Sequence, residues 1–446
     1  MNRLRITTAS LLFGALALSL HWLLPETFGG GAARKARPAS RFVVNTPDAH
    51  QSGGLISRAG KPKKPTPTPK PTPAVGSKYV MMAYNDLGMH CMNPTFGEFC
   101  LLPPYNTVRA TVIQRGEEPK IISSSSSLKV NYFIPGNTVS SIKTDFWDYS
   151  LKLFGVNLPA NTGLTGNGLT GFMVPLRAEK QWEATGIPVT DRMDPVNGNP
   201  PEINPFPLAT VELRDAKTNA IQAWTKTVVP VSTEMACNTC HNTPGMTVES
   251  DILSDHDRLH GTNLMNSKPV LCASCHADPA LGAPGKPGIP SMSHAMHGAH
   301  APRMQEIRLT GANTCYTCHP GNRTQCQRDI HSAKGMSCVN CHGDEFAVAN
   351  VNRKPWVDEP SCASCHKSRK PKFDFEEPGK LFRNSKGHGG VACAVCHGSP
   401  HAITPTVTEA DNVQANLLQG FSGVIRDCKV CHIKTPGDKF FHKIDD

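Results

Sequence analysis

Between Lys78 and about Val231 the apolar residues fall in short runs separated by Gly, Pro, Asn and Ser, the punctuation of strands and turns rather than of helices. The runs Tyr79 to Ala83, Thr107 to Gln114, Leu128 to Ile134, Ala209 to Arg214 and Ile221 to Val229 are predicted strands, several alternating in period two as at Val211 and Leu213. The five serines at 123–127, the stretch GLTGNGLTG at 163–171 and the segment Asp194 to Pro207 with its five prolines read as loops. The expectation is a β-rich, sandwich-like domain over residues 78–232.

Upstream the pattern changes twice. Arg3 and Arg5 precede an apolar run from Ile6 to Leu24, most apolar over Leu11 to Leu20, which reads as a signal peptide or membrane anchor in residues 1–33. Gly31, Ala32 and Ala33 offer small residues for cleavage, while the run is nearly long enough to span a bilayer, so both outcomes stay open. Residues 34–77 form a basic linker with nine Lys and Arg against Asp48. Its stretch KPKKPTPTPKPTP, Lys61 to Pro73, favours a polyproline II spacer of roughly 40 Å. This is a tether, with contact to an anionic envelope surface as the alternative role for its lysines. Export implies a periplasmic, membrane-anchored or extracellular protein.

From residue 233 to 446 the chain becomes a low-regular-structure region in which short helices and loops surround a repeated motif. Cys-x-x-Cys-His occurs seven times: Cys237/Cys240/His241, Cys272/Cys275/His276, Cys315/Cys318/His319, Cys338/Cys341/His342, Cys362/Cys365/His366, Cys393/Cys396/His397 and Cys428/Cys431/His432. Two thiols one helical turn apart suit the two vinyl groups of one porphyrin, and the adjacent histidine reaches the iron from the same side. Zinc sites would combine the pairs two by two into four-cysteine sites, which an odd number of pairs does not suit, and would not require a histidine after every pair. The predicted cofactor is therefore seven covalent haem c groups. Successive motifs start 35, 43, 23, 24, 31 and 35 residues apart. So little peptide per motif cannot build a conventional core, and the porphyrins must supply the buried apolar mass.

The formal charge of +10 invites a nucleic-acid reading, but the linker alone carries +8, and from Lys78 onward 35 basic residues meet 34 acidic ones. Haem propionates would make the folded part acidic, so nucleic acid is excluded as a partner.

Each iron takes a sixth ligand or keeps an open position, which separates electron transfer from catalysis. Nine histidines lie outside the motifs after His241: His256, His260, His294, His297, His300, His331, His388, His401 and His442. His256 with His260, and His294 with His297 and His300, share helix faces by spacing. Expected distal ligands are His256, His260, His294, His297, His331, His388 and His401, with His300 and His442 as the spares. Methionines such as Met292, Met296 and Met304 have adequate packing explanations. The settings of His331, His388 and His401 resemble distal positions in bis-histidine multihaem cytochromes. In the β-rich domain, Cys91 and Cys100 are close enough in sequence for a disulfide in an oxidising compartment, and His90 reads as structural ahead of ligand. Cys326 is left over.

The segments NDLGMHCMN (85–93), LPPYN (102–106), DFWDY (145–149), GIPVT (186–190) and PVSTEMACNTCH (230–241) resemble a bacterial multihaem cytochrome family. That resemblance implies an exported β-module leading into clustered haems and says nothing of a substrate. The function expected is electron transfer with redox partner proteins, without catalytic residues. Two alternatives stand beside it: a multihaem oxidoreductase acting on a small nitrogen or sulfur compound at one open haem, and self-association into a conducting filament. The β-rich domain would dock a partner or cover the first haem.

Overall fold

The computed structural model describes residues 78–307, 312–438 and 440–442. The leader and basic linker lie outside the described residues. Among the described residues no helix is long and apolar enough to cross a membrane.

Seven antiparallel strands form one sheet in the order β1 (Tyr79–Asn85), β4 (Thr107–Gln114), β8 (Gln181–Thr185), β7 (Thr170–Leu176), β6 (Leu128–Phe133), β9 (Leu208–Asp215) and β10 (Ile221–Val228), with β5 (Lys120–Ile121) paired to β4. Register sets the inner face: Met81 opposes Val112, Ala110 opposes Trp182 and Val130 opposes Leu213. These side chains are all buried in one core with Phe96, Phe146, Ile134 and Ile187. The five strands expected from apolar runs are present, β4 with the expected boundaries and the other four shifted by one or two residues at one end or both; β7 and β8, whose faces are less apolar, escape such a reading.

The β-rich expectation is met by a sheet that curls until β1 and β10 lie side by side. No ladder joins those two strands. Instead Gln414, on a helix of the later region (α9, Glu409–Gln419), accepts hydrogen bonds from the Ala83 amide at 2.7 Å and the Thr225 hydroxyl at 3.0 Å. A side-chain carbonyl thus occupies the gap between two strand edges that would otherwise be open to pairing. One further helix, α1 (Phe146–Phe154), closes the core with an aromatic cluster in which Phe146 meets Phe96 edge-on at 5.1 Å.

β1 is buried along both faces. Tyr79, Met81 and Ala83 point into the sheet's core, while Val80, Met82 and Tyr84 pack against Ala392, Ala394, Val395, Ala415, Ile425 and Val430 of the later region. The two regions are therefore parts of one compact unit. Two short parallel pairings add to this: β2 (His90–Cys91) with β11 (Val231–Ser232), and β3 (Phe99–Cys100) with β12 (Val270–Leu271).

Beyond Ser232 the helices are α2 (Val248–His260), α3 (Met292–Glu306), α4 (Ala312–Cys315), α5 (Cys338–His342), α6 (Glu345–Val348), α7 (Cys362–His366), α8 (Cys393–His397) and α9. Thr247 caps α2 by accepting from the Ser250 amide, and Gly261 ends it in the left-handed region at φ 64°. In α3, fifteen residues long, only Ala301 and Met304 are buried. A helix with so little apolar stripe is not held by protein packing alone. A buried polar tie is made by Arg328, fully inaccessible, whose guanidinium donates to both Asp411 carboxylate oxygens at 2.6 and 2.9 Å.

The expected Cys91–Cys100 disulfide is absent. Cys91 sits in β2 and Cys100 in β3, and each strand pairs elsewhere, so their thiols part. Burial pushes both thiols up, with Cys326 beside Cys91 and Cys272 beside Cys100. Cys326 thus lies where β2 meets the later region.

Candidate functional site

The motifs fold as single tight turns. The fourth, fifth and sixth are the five-residue helices α5, α7 and α8; the first, second and seventh begin with 3₁₀ turns at Cys237–Thr239, Cys272–Ser274 and Cys428–Val430. In these three and in the third, the histidine amide bonds the carbonyl of the first cysteine, as Cys237, Cys272, Cys315 and Cys428 show at 2.8 to 3.0 Å. One turn therefore places both thiols and the imidazole on one side of the backbone, the arrangement that covalent haem attachment requires.

The attachment cysteines differ in how far the chain covers them. In the sixth and seventh motifs Cys396 and Cys431 are half-buried against the apolar cluster under β1. Cys365 of the fifth motif is the opposite case. It is exposed, as are Cys362 and His366, and its Sγ meets the hydroxyl of the neighbouring Ser364 at 3.9 Å rather than any apolar wall. Cys240 and Cys341, the second cysteines of the first and fourth motifs, are exposed too. The physical reason at Cys365 is the lack of a local core, since no residue from 350 to 384 is buried.

Each motif histidine faces a second imidazole from a distant part of the chain. The ring centres are 6.4 Å apart for His241 and His300, 6.3 Å for His276 and His256, and 6.0 Å for His319 and His297. They are 6.0 Å apart for His342 and His401, and for His366 and His331. His397 and His442 stand 5.8 Å apart, His432 and His388 6.2 Å. Two imidazoles bound to one metal through bonds of about 2 Å each would have ring centres roughly 6 Å apart. The spacing fits seven metals between seven pairs.

The nitrogens divide in the same way. His276 Nδ1 lies 2.8 Å from the Pro290 carbonyl and His432 Nδ1 2.8 Å from that of Glu117. His297, His300 and His442 use Nδ1 toward the carbonyls of Ser293, Met296 and Asp374 at 2.7, 2.6 and 3.0 Å. A carbonyl only accepts, so Nδ1 donates in each of these rings, and a neutral imidazole held this way keeps its Nε2 lone pair for a metal. His331 Nδ1 meets the Asp329 carboxylate at 3.0 Å, and Asp255 approaches His241 Nδ1 at 3.7 Å with Asp251 also close.

His90 and His294 are the reverse. Nε2 of His90 donates to the Pro103 carbonyl at 2.7 Å and that of His294 to the Asn350 carbonyl at 2.6 Å, so neither ring has Nε2 to offer. His260 rests against His256 at 4.8 Å, with no motif histidine opposite it. The two expected spares, His300 and His442, stand opposite motif histidines, while His260 and His294, expected as ligands, do not. Spacing put His294 and His260 on the right helices; it could not show which residue of each set turns toward a motif.

Burial holds His319, His397 and His401 neutral, their pKa values pushed down to about 4. His319 and His401 remain accessible although chain surrounds them. Rings flanking a slot, rather than packed on protein, have this combination, and a flat macrocycle held between two imidazoles fits it.

Residues 330–409 match the family model of cytochrome c3. The matched segment spans the fourth, fifth and sixth motifs and defines a multihaem cytochrome module, with covalent haem c and haem-based electron transfer as its chemistry. No curated protein and no solved structure matches the chain.

Proposed function

We propose that this chain is an exported heptahaem cytochrome c that passes electrons between redox partner proteins. The observation that carries this reading is the one-to-one pairing of all seven motif histidines with a second imidazole at 5.8 to 6.4 Å. Each haem, once attached, supplies one-electron exchange between its ferric and ferrous states.

The residues' part is to hold and tune. The fourteen motif cysteines anchor the macrocycles, and His241, His276, His319, His342, His366, His397 and His432 bind from the attachment side. His300, His256, His297, His401, His331, His442 and His388 are the respective distal ligands. Carbonyls and carboxylates on Nδ1 fix ring orientation and raise imidazole basicity, which favours the oxidised metal. A bis-histidine set leaves no coordination position for a small substrate, and this favours the carrier over the oxidoreductase. His442 has a partner within its own chain, so ligation does not call for a histidine donated between filament subunits.

The test is electron paramagnetic resonance of the oxidised, purified protein at neutral pH, with haem content measured by mass on the same sample. Seven haems, all low-spin, are expected. A substantial high-spin signal that shifts with nitrite, hydroxylamine or a sulfur oxyanion would replace the carrier with the enzyme.

A further inference from the structure

Resting on the heptahaem reading, we infer that the seven sites form one unbranched row in the order second, first, third, fourth, fifth, sixth and seventh motif. The second and seventh sites are then its ends, where electrons are exchanged with partners. The first motif in the chain is interior.

Each step of the row is bridged by a short piece of chain. On α2, His256 faces His276 of the second motif while the preceding residue, Asp255, approaches His241 of the first. On α3, His300 faces His241 and His297, one turn away, faces His319 of the third. The third and fourth motifs touch through α4 and α5, and Cys315 Sγ lies 3.9 Å from the carboxylate of Glu345, three residues past His342. The backbones bearing the distal histidines of the fourth and fifth sites run together, the Arg328 amide donating to the His401 carbonyl at 2.9 Å and that of Ile330 to Ile403 at 3.0 Å.

Between the fifth and sixth, Phe375 stacks on His366 at 6.5 Å and meets His442 edge-on at 6.3 Å. Glu376 accepts from the Cys362 and Ala363 amides, and Glu377 from the Lys386 amide; next to Lys386, the Ser385 carbonyl takes the Cys393 amide at 3.0 Å. The sixth and seventh interlock: His388 of the seventh site precedes Cys393 of the sixth by five residues, and His442 of the sixth follows His432 of the seventh by ten. The Cys396 carbonyl accepts from Ile425, just before Cys428.

Both ends are braced by the sheet region. Leu271, beside Cys272, pairs with Cys100 in β3. Gly116 bridges to His432, and Arg115 donates to the Lys429 carbonyl at 2.8 Å. One electron enters at one end from a reduced redox protein, which is oxidised, and one leaves at the other to an oxidised acceptor protein, which is reduced; no proton or group moves with it.

The row is tested on the full, haem-loaded chain with a ruthenium photosensitiser on Lys434→Cys, an exposed position beside the seventh site. Two variants each lack one haem: Cys237→Ser with Cys240→Ser at the first motif, and Cys272→Ser with Cys275→Ser at the second. After photoinjection, the row predicts fast reduction reaching five of six haems in the first-motif variant, with one stranded, and all six in the second-motif variant. The reverse outcome would make the row follow chain order and overturn the inference. If a variant does not fold, an experimental structure of the unaltered loaded protein decides: the first-motif iron must have two near iron neighbours and the second only one. A wild-type mass without seven haems would instead sink the heptahaem reading, whatever the order.

Discussion

The two regions of this molecule bury their interiors by opposite means. Residues 78–232 form a continuous core from their own side chains, with Tyr132, Phe96, Phe146, Ile134 and Leu213 all essentially inaccessible. Past Ser232 the buried apolar residues are mainly alanines and valines with Leu253, Met304 and Ile425, and no buried aromatic occurs among the described residues. At about 25 cal/mol per Å² of apolar surface, the first region's burial can offset its ordering entropy; the second needs an added apolar mass. A side-chain core and a cofactor core thus share one unit, joined where β1 turns its second face to the later region.

The largest effect that can break this comparison is withholding haem. When the chain is produced without covalent attachment, residues 233–442 are expected to become protease-sensitive throughout, while the sheet region keeps its strand signature by circular dichroism. Persistence of a protease-resistant later region would show that its chain packs well enough alone. The same comparison explains what could be read from the sequence. Strands β1, β4, β6, β9 and β10 follow from apolar runs because their inner faces build the core. β7 is mostly exposed, with Phe172 and Val174 facing out, so its pattern carries no inward period. In the later region the CxxCH spacing is chemistry written into the sequence. How far chain covers each motif is not, and the exposed Cys365 carries the same local signal as the half-buried Cys396. The partner histidines are hidden as well, because the choice of His300 over His294 depends on how α3 is rotated, and its scant apolar stripe does not reveal that. The row order is equally illegible, since it arises from α2 and α3 each serving two sites.

A smaller effect sharpens the contrast from the side of the sheet region. His90 is 8% exposed, and burial pushes its pKa from 6.5 down to about 4, opposed in part by its bond to Pro103. The unfolded chain takes up this proton near pH 6.5 and the folded chain only near 4. Stability therefore falls as pH drops between those values, by about 3 kcal/mol in total. His90→Gln, which can still donate to the Pro103 carbonyl, should flatten that part of the pH dependence of chemical unfolding. An unchanged slope would mean that His90 stays neutral in both states or that other groups dominate.

The smallest effect concerns tuning within the cofactor region. Asp329, 6% exposed, places a carboxylate oxygen 3.0 Å from Nδ1 of His331, the proposed distal ligand of the fifth site, and its other oxygen takes the Ser332 amide. Other proposed distal ligands, His297, His300 and His442, have a neutral carbonyl there. A buried carboxylate gives its imidazole more anionic character and adds a nearby negative charge, and both favour the ferric state. Asp329→Asn removes the charge and keeps a carbonyl acceptor for only one of the two donors, the ring or the Ser332 amide, so one haem should shift upward by tens of millivolts, a tenfold change in a one-electron equilibrium being about 59 mV. Spectroelectrochemical titration would show one component moving while the remaining haems hold their potentials. A uniform shift of all components would mean that the charge acts as a general field across closely spaced sites, and no movement would mean that solvent at the exposed fifth motif, around Cys362 and Cys365, screens it.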